Sequence, residues 1–590
     1  MLIIKQKKEI EKMEQKRMQE KGITLIALVI TIIVLLILAG ISISALTNTG
    51  IFQKAQEAKV KTEEAAKREE AVLADLNSYI DNNEEPIYDT KTGANNPVLS
   101  NGMIPVKYDT EKEKWVICSS TDKDWYSYST DKKQWANVML SDGKYYASGA
   151  DVDTTNKALA TAGTIVAEED LGSMFVWIPR YAYKITSGYH SNTNGGMDVK
   201  FLIGKTDKTI DNSTIVEYNA ETTNNYTKFP DGYVVHPAFE NGESTGYQNG
   251  EWKSEILGIW VAKFQAGIKT TENDTSQKVT TVSNYYYPIF KGRKFAYNYV
   301  TASQCYELSS SLDDSGNPYG LTSSANSHLM KSSEWGAVAY LSISQYGYSD
   351  GSSSKEKAKN NLSIVNYNNF SASPVSNPNY SSGKITSITG YSAPTGKTAQ
   401  NVMTKYSTVS DLTDSITGLN GTSYAWNNVS SGSDTGDGTK SSTTGNIYGI
   451  YDMGGCLADY TASYINAVGN GNLTTYGKSF ANGTSTYLAT AYPYQTDSSI
   501  TYPTDYKDFN SAYPGFGKIF GDALWETSSG TGSGKAWFGQ TLEEDGYASE
   551  VFFPRGGAWY HADCVGSCGL YDTDGTESAY YGFHSVLAAE

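Results

Sequence analysis

Residues 552–588 read FFPRGGAWYHADCVGSCGLYDTDGTESAYYGFHSVLA, and in them two compact apolar motifs enclose a segment rich in Tyr, Gly and Asp. Three earlier motifs have the same compact character, namely GIWVAKFQAG (258–267), HLMKSSEWGAVAYL (328–341) and GNIYGIYDMGGCLADYTASY (445–464). Long stretches rich in Ser, Thr, Gly, Asn and Tyr separate the motifs, at 190–250, 345–440 and 465–535. Because the motifs predict core and the polar stretches predict surface insertions, we expect a loop-rich domain over 160–590.

Taken together, the four motifs resemble the formylglycine-generating-enzyme-like (sulfatase-modifying-factor) family in their order and chemistry. In that family a segment like EAEW precedes a helix, one like GLYDMSGNVWEW follows, and RGGSW...GFR closes the domain. The resemblance covers 258–588 and implies a C-type-lectin-like fold with large insertions. The chain departs from the family at GGCLADY (454–460), where GNVWEW is common, and at Gly582-Phe583-His584, where GFR is common.

The rest of the chain suggests little regular structure. Within 160–590 only SEWGAVAYLSI (333–343) has a convincing helical pattern, and MFVWIPRYAYKI (174–185) belongs to the same domain. At 590 residues the chain is too long for one ordinary domain. The fold class that we predict is α+β, with an amino-terminal helix, a small β module and the lectin-like domain.

Short aromatic and β-branched runs separated by polar turns occupy residues 101–142. They predict a small antiparallel β module over 96–150. Trp115, Trp125 and Trp135 are its candidate core residues, because regularly spaced Trp in short strands usually packs inside.

The amino terminus differs in charge from the rest of the chain. Residues 1–21 carry seven Lys and Arg against four Glu, a net charge of +3, whereas the whole chain has a formal charge of −17. The next segment, 22–46, contains ITLIALVITIIVLLILAGISI, which as a helix is long enough to cross a bilayer. We therefore predict a cytoplasmic leader at 1–21, a single-pass transmembrane helix at 22–46 and a body displayed on the cell surface. Residues 47–82, rich in Ala, Lys and Glu, predict a helical stalk.

The stretch KGITLIALVITIIVLLILAGIS resembles the amino-terminal segment of type IV prepilin-like proteins. The resemblance implies cleavage after Gly22 by a prepilin peptidase. Pilins usually carry Glu at the fifth mature position, which is Ala27 here. Assembly with pilin-like partners and simple membrane anchoring therefore both stay open.

The five cysteines bear on whether the protein is an enzyme. Formylglycine-generating enzymes oxidise a substrate cysteine with a pair of copper-binding cysteines. Cys564 and Cys568 lie in the closing motif, but their spacing from Gly556-Gly557 does not match the active pattern, so we predict no catalytic activity. Outside the cell this pair of thiols has a disulfide as its alternative state.

Other signals of catalysis or metal binding are weak. The five histidines form no H-x-x-x-H or H-E-x-x-H pair, and the sequence contains no Walker A loop. Asp572, Asp574 and Glu577 offer oxygen ligands that suit calcium, but they lack the spacing of an EF-hand loop. We therefore expect no cofactor, with calcium as the alternative.

Residues 558–581 have the composition of a recognition surface. They contain four Tyr and four acidic residues but no Lys or Arg. Tyr gives a large contact area at low entropic cost, and small polar residues adapt to different ligands. Free exchange of the two adenines in an AAY codon reaches fifteen amino acids, and 22 of these 24 residues fall within that set. Asn itself is absent from the segment, as heavy mutation of such codons would leave it.

This pattern resembles the variable proteins of diversity-generating retroelements, which carry adenine-mutated codons in the terminal segment of a C-type-lectin-like fold. The resemblance implies a diversified ligand-binding face made of Ala558, Tyr560, His561, Asp563, Cys564, Ser567, Cys568, Tyr571, Asp572, Thr573, Asp574, Thr576, Ser578, Tyr580 and Tyr581. It implies a scaffold that includes Arg555, Gly556, Gly557, Trp559, Gly566, Gly569, Gly582 and Phe583.

These observations predict a membrane-anchored, surface-displayed binding protein. The Tyr-rich, acidic face suits a protein or glycan ligand, and we favour protein because protein recognition commonly uses Tyr. The overall acidity excludes nucleic acid, because a polyanionic partner needs a basic face. The alternatives are an extracytoplasmic formylglycine-generating-type cysteine oxidase and a structural minor pilin.

Overall fold

A computed structural model describes residues 86–588, apart from several internal segments. Those segments are 192–194, 219–227, 243–249, 269–286, 295, 349–374, 377–383, 386–388, 393–423, 428–437, 467–469, 482–487, 494–519, 529–535, 538–541, 544–549 and 559–565. The predicted leader, transmembrane helix and stalk, at 1–21, 22–46 and 47–82, lie outside the described residues. Among the described residues, no helix combines the length and apolarity that a membrane span requires.

The described chain has many short strands and few helices, which confirms the predicted α+β class in its coarse form. The strands are β1 (Met103–Asp109), β2 (Lys114–Ile117), β3 (Asn137–Leu140), β4 (Tyr145–Tyr146), β5 (Ala158–Leu159), β6 (Ile165–Val166), β7 (Met174–Pro179), β8 (Tyr181–Ser187), β9 (Gly196–Phe201), β10 (Val234–Val235), β11 (Gly258–Ala262), β12 (His328–Leu329), β13 (Val375–Ser376), β14 (Lys384–Ile385), β15 (Tyr391–Ser392), β16 (Tyr424–Ala425), β17 (Ala458–Asp459), β18 (Ser463–Asn466), β19 (Thr490–Pro493), β20 (Leu542–Glu543), β21 (Arg555–Gly556), β22 (Gly566–Tyr571), β23 (Tyr581–Gly582) and β24 (Ser585–Leu587). The α-helices are α1 (Ala302–Ser310), α2 (Ser332–Ile343) and α3 (Gly471–Tyr476).

An eight-stranded antiparallel sheet runs in the order β12, β24, β11, β7, β3, β1, β2, β6. Its central strands β7 and β11 read MFVWIP and GIWVA, and all their residues are buried. Such continuous apolar runs form strands that are covered on both faces. Trp177 and Trp260 are directly opposite each other in this pair. The last strand, β24, lies between β11 and the edge strand β12.

The region predicted as a separate β module shares this sheet. Its strands β1, β2 and β3 are antiparallel as predicted, and Trp115, Trp125 and Trp135 are buried, which confirms them as core residues. However, β3 pairs with β7, and the Trp125 ring stacks on that of Trp260 at 6.4 Å. Residues 86–590 form one compact unit. Residues 96–150 therefore share a core with the 160–590 region and do not stand apart from it.

Helix α2 confirms the helix predicted at 333–343. All twelve of its residues are buried, and small residues allow close packing on every side. At Gly336, for example, an added Cβ would lie 1.9 Å from the carbonyl oxygen of Gly521. Helix α1 was not predicted, because ASQCYELSS has a mixed pattern. It is fixed by a capping box between Thr301 and Gln304.

A second sheet brings the distant motifs together around the end of the chain. Its five strands run in the order β20, β22, β21, β17, β23. Strand β17 comes from GGCLADY, β21 from PRGG, and β22 and β23 lie at the two ends of the closing segment. Asp459 of β17 is paired with Arg555 on one side and with Gly582 on the other.

Candidate functional site

Five positions of the predicted ligand face lie inside the molecule. Of the predicted positions, Ala558, Ser567, Cys568, Tyr571 and Thr573 are each at most 6% exposed. The structure therefore differs from the prediction that they belong to an exposed face. The reason is that β22 runs between β20 and β21. Trp335 of α2 also donates its indole Nε1–H to the carbonyl oxygen of Ser567 at 2.6 Å. Tyr560, His561, Asp563, Cys564 and the scaffold residue Trp559 lie outside the described residues.

Other positions of the face reach solvent. Tyr580 is 40% exposed, one of the few large hydrophobic side chains that are this accessible among the described residues. The remaining predicted positions Asp572, Asp574, Thr576, Ser578 and Tyr581 are all partly exposed. Segment 572–580 thus presents a short irregular surface between buried β22 and buried residues 582–588.

The backbone of this segment is held by residues from elsewhere in the chain. Besides Thr573 O and Ala579 O, which accept from Phe552 N at 3.1 Å and from Asn298 Nδ2 at 3.2 Å, four of its carbonyl oxygens accept hydrogen bonds from outside it. They are Gly575 O from Ala302 N, Thr576 O from the Tyr460 hydroxyl, Ser578 O from Tyr299 N, and Tyr580 O from Ala458 N, at 2.7–3.1 Å. None of these four bonds uses a side chain of segment 572–580. Side-chain exchange on the exposed surface would therefore leave the four bonds in place.

One turn within the segment does use side chains. The Asp574 carboxylate accepts hydrogen bonds from the Thr576 backbone N–H at 3.0 Å and from the Thr576 hydroxyl at 2.7 Å. Both bonds reach Asp574 Oδ1, so this local turn occupies one of the carboxylate oxygens that a calcium site would need. Within the described residues, no group of three or more His, Cys, Asp and Glu side chains is placed to hold a metal ion.

Arg555 ties the closing segment to the core below it. Its side chain is completely buried and donates to the carbonyl oxygens of Gly569, Asp522 and Ala523 at 2.8–3.2 Å. It also donates to the Ser332 hydroxyl at 3.0 Å. The next residue, Gly556, has φ +81°, and an added Cβ would lie 2.7 Å from the Met453 carbonyl oxygen. These contacts agree with a scaffold role for PRGG.

The turn around residues 521–528 supplies buried acids beneath β22. Glu526 accepts hydrogen bonds from the Tyr340 hydroxyl at 2.6 Å, the Gly521 N–H at 2.7 Å and the Tyr183 hydroxyl at 2.9 Å. Burial raises the pKa of Glu526 to about 7, although these hydrogen bonds lower it. Burial also raises the pKa of Asp522 to about 6.

These acids were missed from the sequence because they lie in the 465–535 stretch, predicted to be a surface insertion. The apolar Ala523-Leu524-Trp525 run was the available signal, and all three residues are buried.

The two departures from the formylglycine-generating-enzyme-like motifs contact each other. His584 Nδ1 lies 2.8 Å from Asp459 Oδ2, and His584 Nε2 lies 3.2 Å from the Tyr451 carbonyl oxygen. Burial alone would lower the pKa of His584, but the Asp459 carboxylate raises it above its usual value. A buried hydrogen bond thus joins Asp459 of GGCLADY to His584 of GFHSVLA.

Cys568, a candidate for redox chemistry, is buried in β22. Burial raises the pKa of its thiol to about 11, which disfavours the reactive thiolate at neutral pH. Cys564, and with it the predicted disulfide alternative, lies outside the described residues.

Comparison with known proteins adds no family assignment. No protein-family model matches the chain, and no curated protein is significantly similar to it. The resemblances given above therefore stay predictions.

Proposed function

We propose that this protein is a membrane-anchored, surface-displayed ligand-binding protein. Its carboxy-terminal domain, of C-type-lectin-like fold, presents a binding site whose side chains are diversified. The ligand that we propose is a protein. The anchor is the apolar helix at 22–46, and the stalk at 47–82 carries the domain away from the membrane.

One observation carries the proposal. The backbone of segment 572–580 is held by Ala302, Tyr299, Ala458 and Tyr460, while its side chains other than that of Thr573 are at least partly exposed. A diversified site needs this separation, because exchange of a side chain must not unfold the domain. Tyr580 adds an exposed aromatic group, the residue type that most often anchors protein partners.

The contact between Asp459 and His584 supports the proposed fold family. Residues that depart from a motif at random would not be expected to meet in space. Here the pair stays buried and hydrogen-bonded in the second sheet, next to PRGG. The two motifs therefore behave as one structural unit, as the resemblance implies.

The cysteine oxidase alternative receives no support from Cys568, whose burial disfavours a thiolate. The minor pilin alternative depends on residues outside the described part of the chain.

Display of a mutant library tests the proposal. In one library Asp572, Ser578 and Tyr580 are randomised together, and in a matched library Ser567, Cys568 and Tyr571 are randomised. We expect most members of the first library to fold and some to bind unrelated protein targets. We expect most members of the second to unfold, because their side chains are buried. Unfolding of most members of the first library would contradict the proposal, and so would the absence of any binder from it.

A further inference from the structure

A cavity of about 360 Å³ lies between the start of β7 and the turn at 291–294. Its lining includes the apolar side chains of Leu171 and Met174, the indole of Trp426 and two acids, Glu168 and Glu169. No residue of the closing segment lines it. The volume is within the range of small-molecule sites, about 300–1,000 Å³.

The turn at 291–294 reads KGRK and places three cations at the cavity. Thr389 fixes its backbone. Arg293 N donates to Thr389 O at 2.8 Å, Thr389 N donates to Lys294 O at 2.8 Å, and the Thr389 hydroxyl donates to Lys291 O at 2.6 Å. Hydrogen bonds within the chain therefore fix the backbone on this side of the cavity.

Arg293 is the distinctive residue of the cavity. It has a left-handed backbone with φ 60°, which is uncommon for a residue other than glycine. Its Nε is shielded from solvent and has no hydrogen-bond partner among the described residues. The nearest acid is Glu168, whose Oε1 lies 3.6 Å from this nitrogen.

Glu168 is engaged by other donors. Its carboxylate accepts hydrogen bonds from Asn427 Nδ2 at 2.7 Å and from Trp426 Nε1 at 3.3 Å. The guanidinium of Arg293 therefore retains donors for an incoming group. A planar guanidinium suits the paired oxygens of a carboxylate or phosphate.

We propose that this cavity binds a small organic anion. Arg293 holds its carboxylate or phosphate group, Lys291 and Lys294 add positive charge, and the apolar part of the anion lies on Leu171 and Met174. The concentration of three cations in four residues contrasts with the formal charge of −17 of the whole chain. The inference is independent of the proposed ligand-binding role of the closing segment.

Calorimetric titration of the full chain in detergent tests this site, with benzoate and inorganic phosphate as separate probes. We expect saturable binding of at least one probe, and weaker binding at higher NaCl concentration. In Arg293→Gln the affinity should fall about tenfold, the effect of losing a charged hydrogen-bond donor. Arg293→Lys keeps the positive charge but lacks the planar pair of N–H donors of a guanidinium. Its affinity should therefore lie between those of the native chain and Arg293→Gln. Gln and Lys are not glycine, and neither is Arg. Both variants therefore have to adopt the same left-handed backbone conformation at position 293 as the native residue.

Lys208→Gln is the matched control, because Lys208 is exposed and does not line the cavity. It removes the same charge and should leave the affinity unchanged. Binding of benzoate alone would identify a carboxylate site, and binding of phosphate alone a phosphate site. Failure of both probes to bind would overturn the proposal, as would equal affinity of the native chain and both Arg293 variants.

Discussion

At the scale of single residues, Glu526 and Arg555 show that polar groups of the core bind partners from distant parts of the chain. Glu526 is bound by hydroxyls of residues 183 and 340. Arg555 joins β21 to the turn at 521–528. The sequence predicted a scaffold role for Arg555 only through its motif. Glu526 was missed because a lone acid in a polar stretch is usually solvated, and its only signal was the adjacent apolar run Ala523-Leu524-Trp525.

Glu526 makes stability depend on pH. Its pKa is raised from 4.5 to about 7 in the folded protein, so the folded state binds the proton more tightly than the unfolded state. Stability should therefore fall as pH rises from about 4.5 to about 7. Glu526→Gln removes this loss and should stabilise the protein at pH 8 by up to about 3 kcal/mol. Thermal unfolding at pH 5 and pH 8 measures the difference. A variant that is less stable than the native protein at pH 8 would contradict the assigned pKa.

At the scale of elements, the sequence predicted those features that depend on the spacing of nearby residues. The helix at 333–343 and the buried Trp residues of the 101–142 region were both predicted, because apolar residues recur there with clear spacing. Strand β22 was not predicted to be buried, because GSCGLY shares its small polar composition with recognition loops. Its burial comes from β20, β21 and Trp335, which are separated from it in sequence.

Helices α2 and α3 each contain a glycine, and the two glycines provide a matched pair of substitutions. An added methyl group at Gly336 would lie 1.9 Å from a backbone oxygen, whereas one at Gly471 of α3 has no atom within 4 Å. Gly336→Ala should destabilise the protein by about 1–3 kcal/mol through overpacking. Gly471→Ala should be neutral or stabilise it by up to about 1 kcal/mol, because Ala favours the helix. Chemical denaturation of both variants measures the free energies of unfolding. Equal effects would contradict the close contact between α2 and Gly521.

At the scale of the whole molecule, one unit spans 86–590 and combines the predicted β module with the predicted lectin-like domain. The sequence suggested a boundary between 150 and 160, because the residues there are polar. Pairing of β3 with β7 crosses that boundary, and no local pattern reveals which strands pair across such a distance.

Truncation tests whether residues 86–590 fold as one unit. A fragment of residues 160–590 would expose the edge of β7 and the buried ring of Trp260, whereas 86–590 keeps them covered. We expect 160–590 to aggregate or to lack the near-ultraviolet circular dichroism of packed aromatics, and 86–590 to fold. A soluble 160–590 fragment with the same near-ultraviolet circular dichroism as 86–590 would instead support a separate β module at 96–150.

The central claim is that a fixed scaffold carries exchangeable side chains at the end of this protein. Sequencing the gene from many related cells tests it most directly. We expect substitutions to concentrate within codons 558–581. Among the described residues, the partly or fully exposed positions 572, 576, 578, 580 and 581 should vary most. The buried positions 555–557, 567, 568, 571 and 582–588 should vary least. Substitutions spread evenly along the gene would contradict the claim.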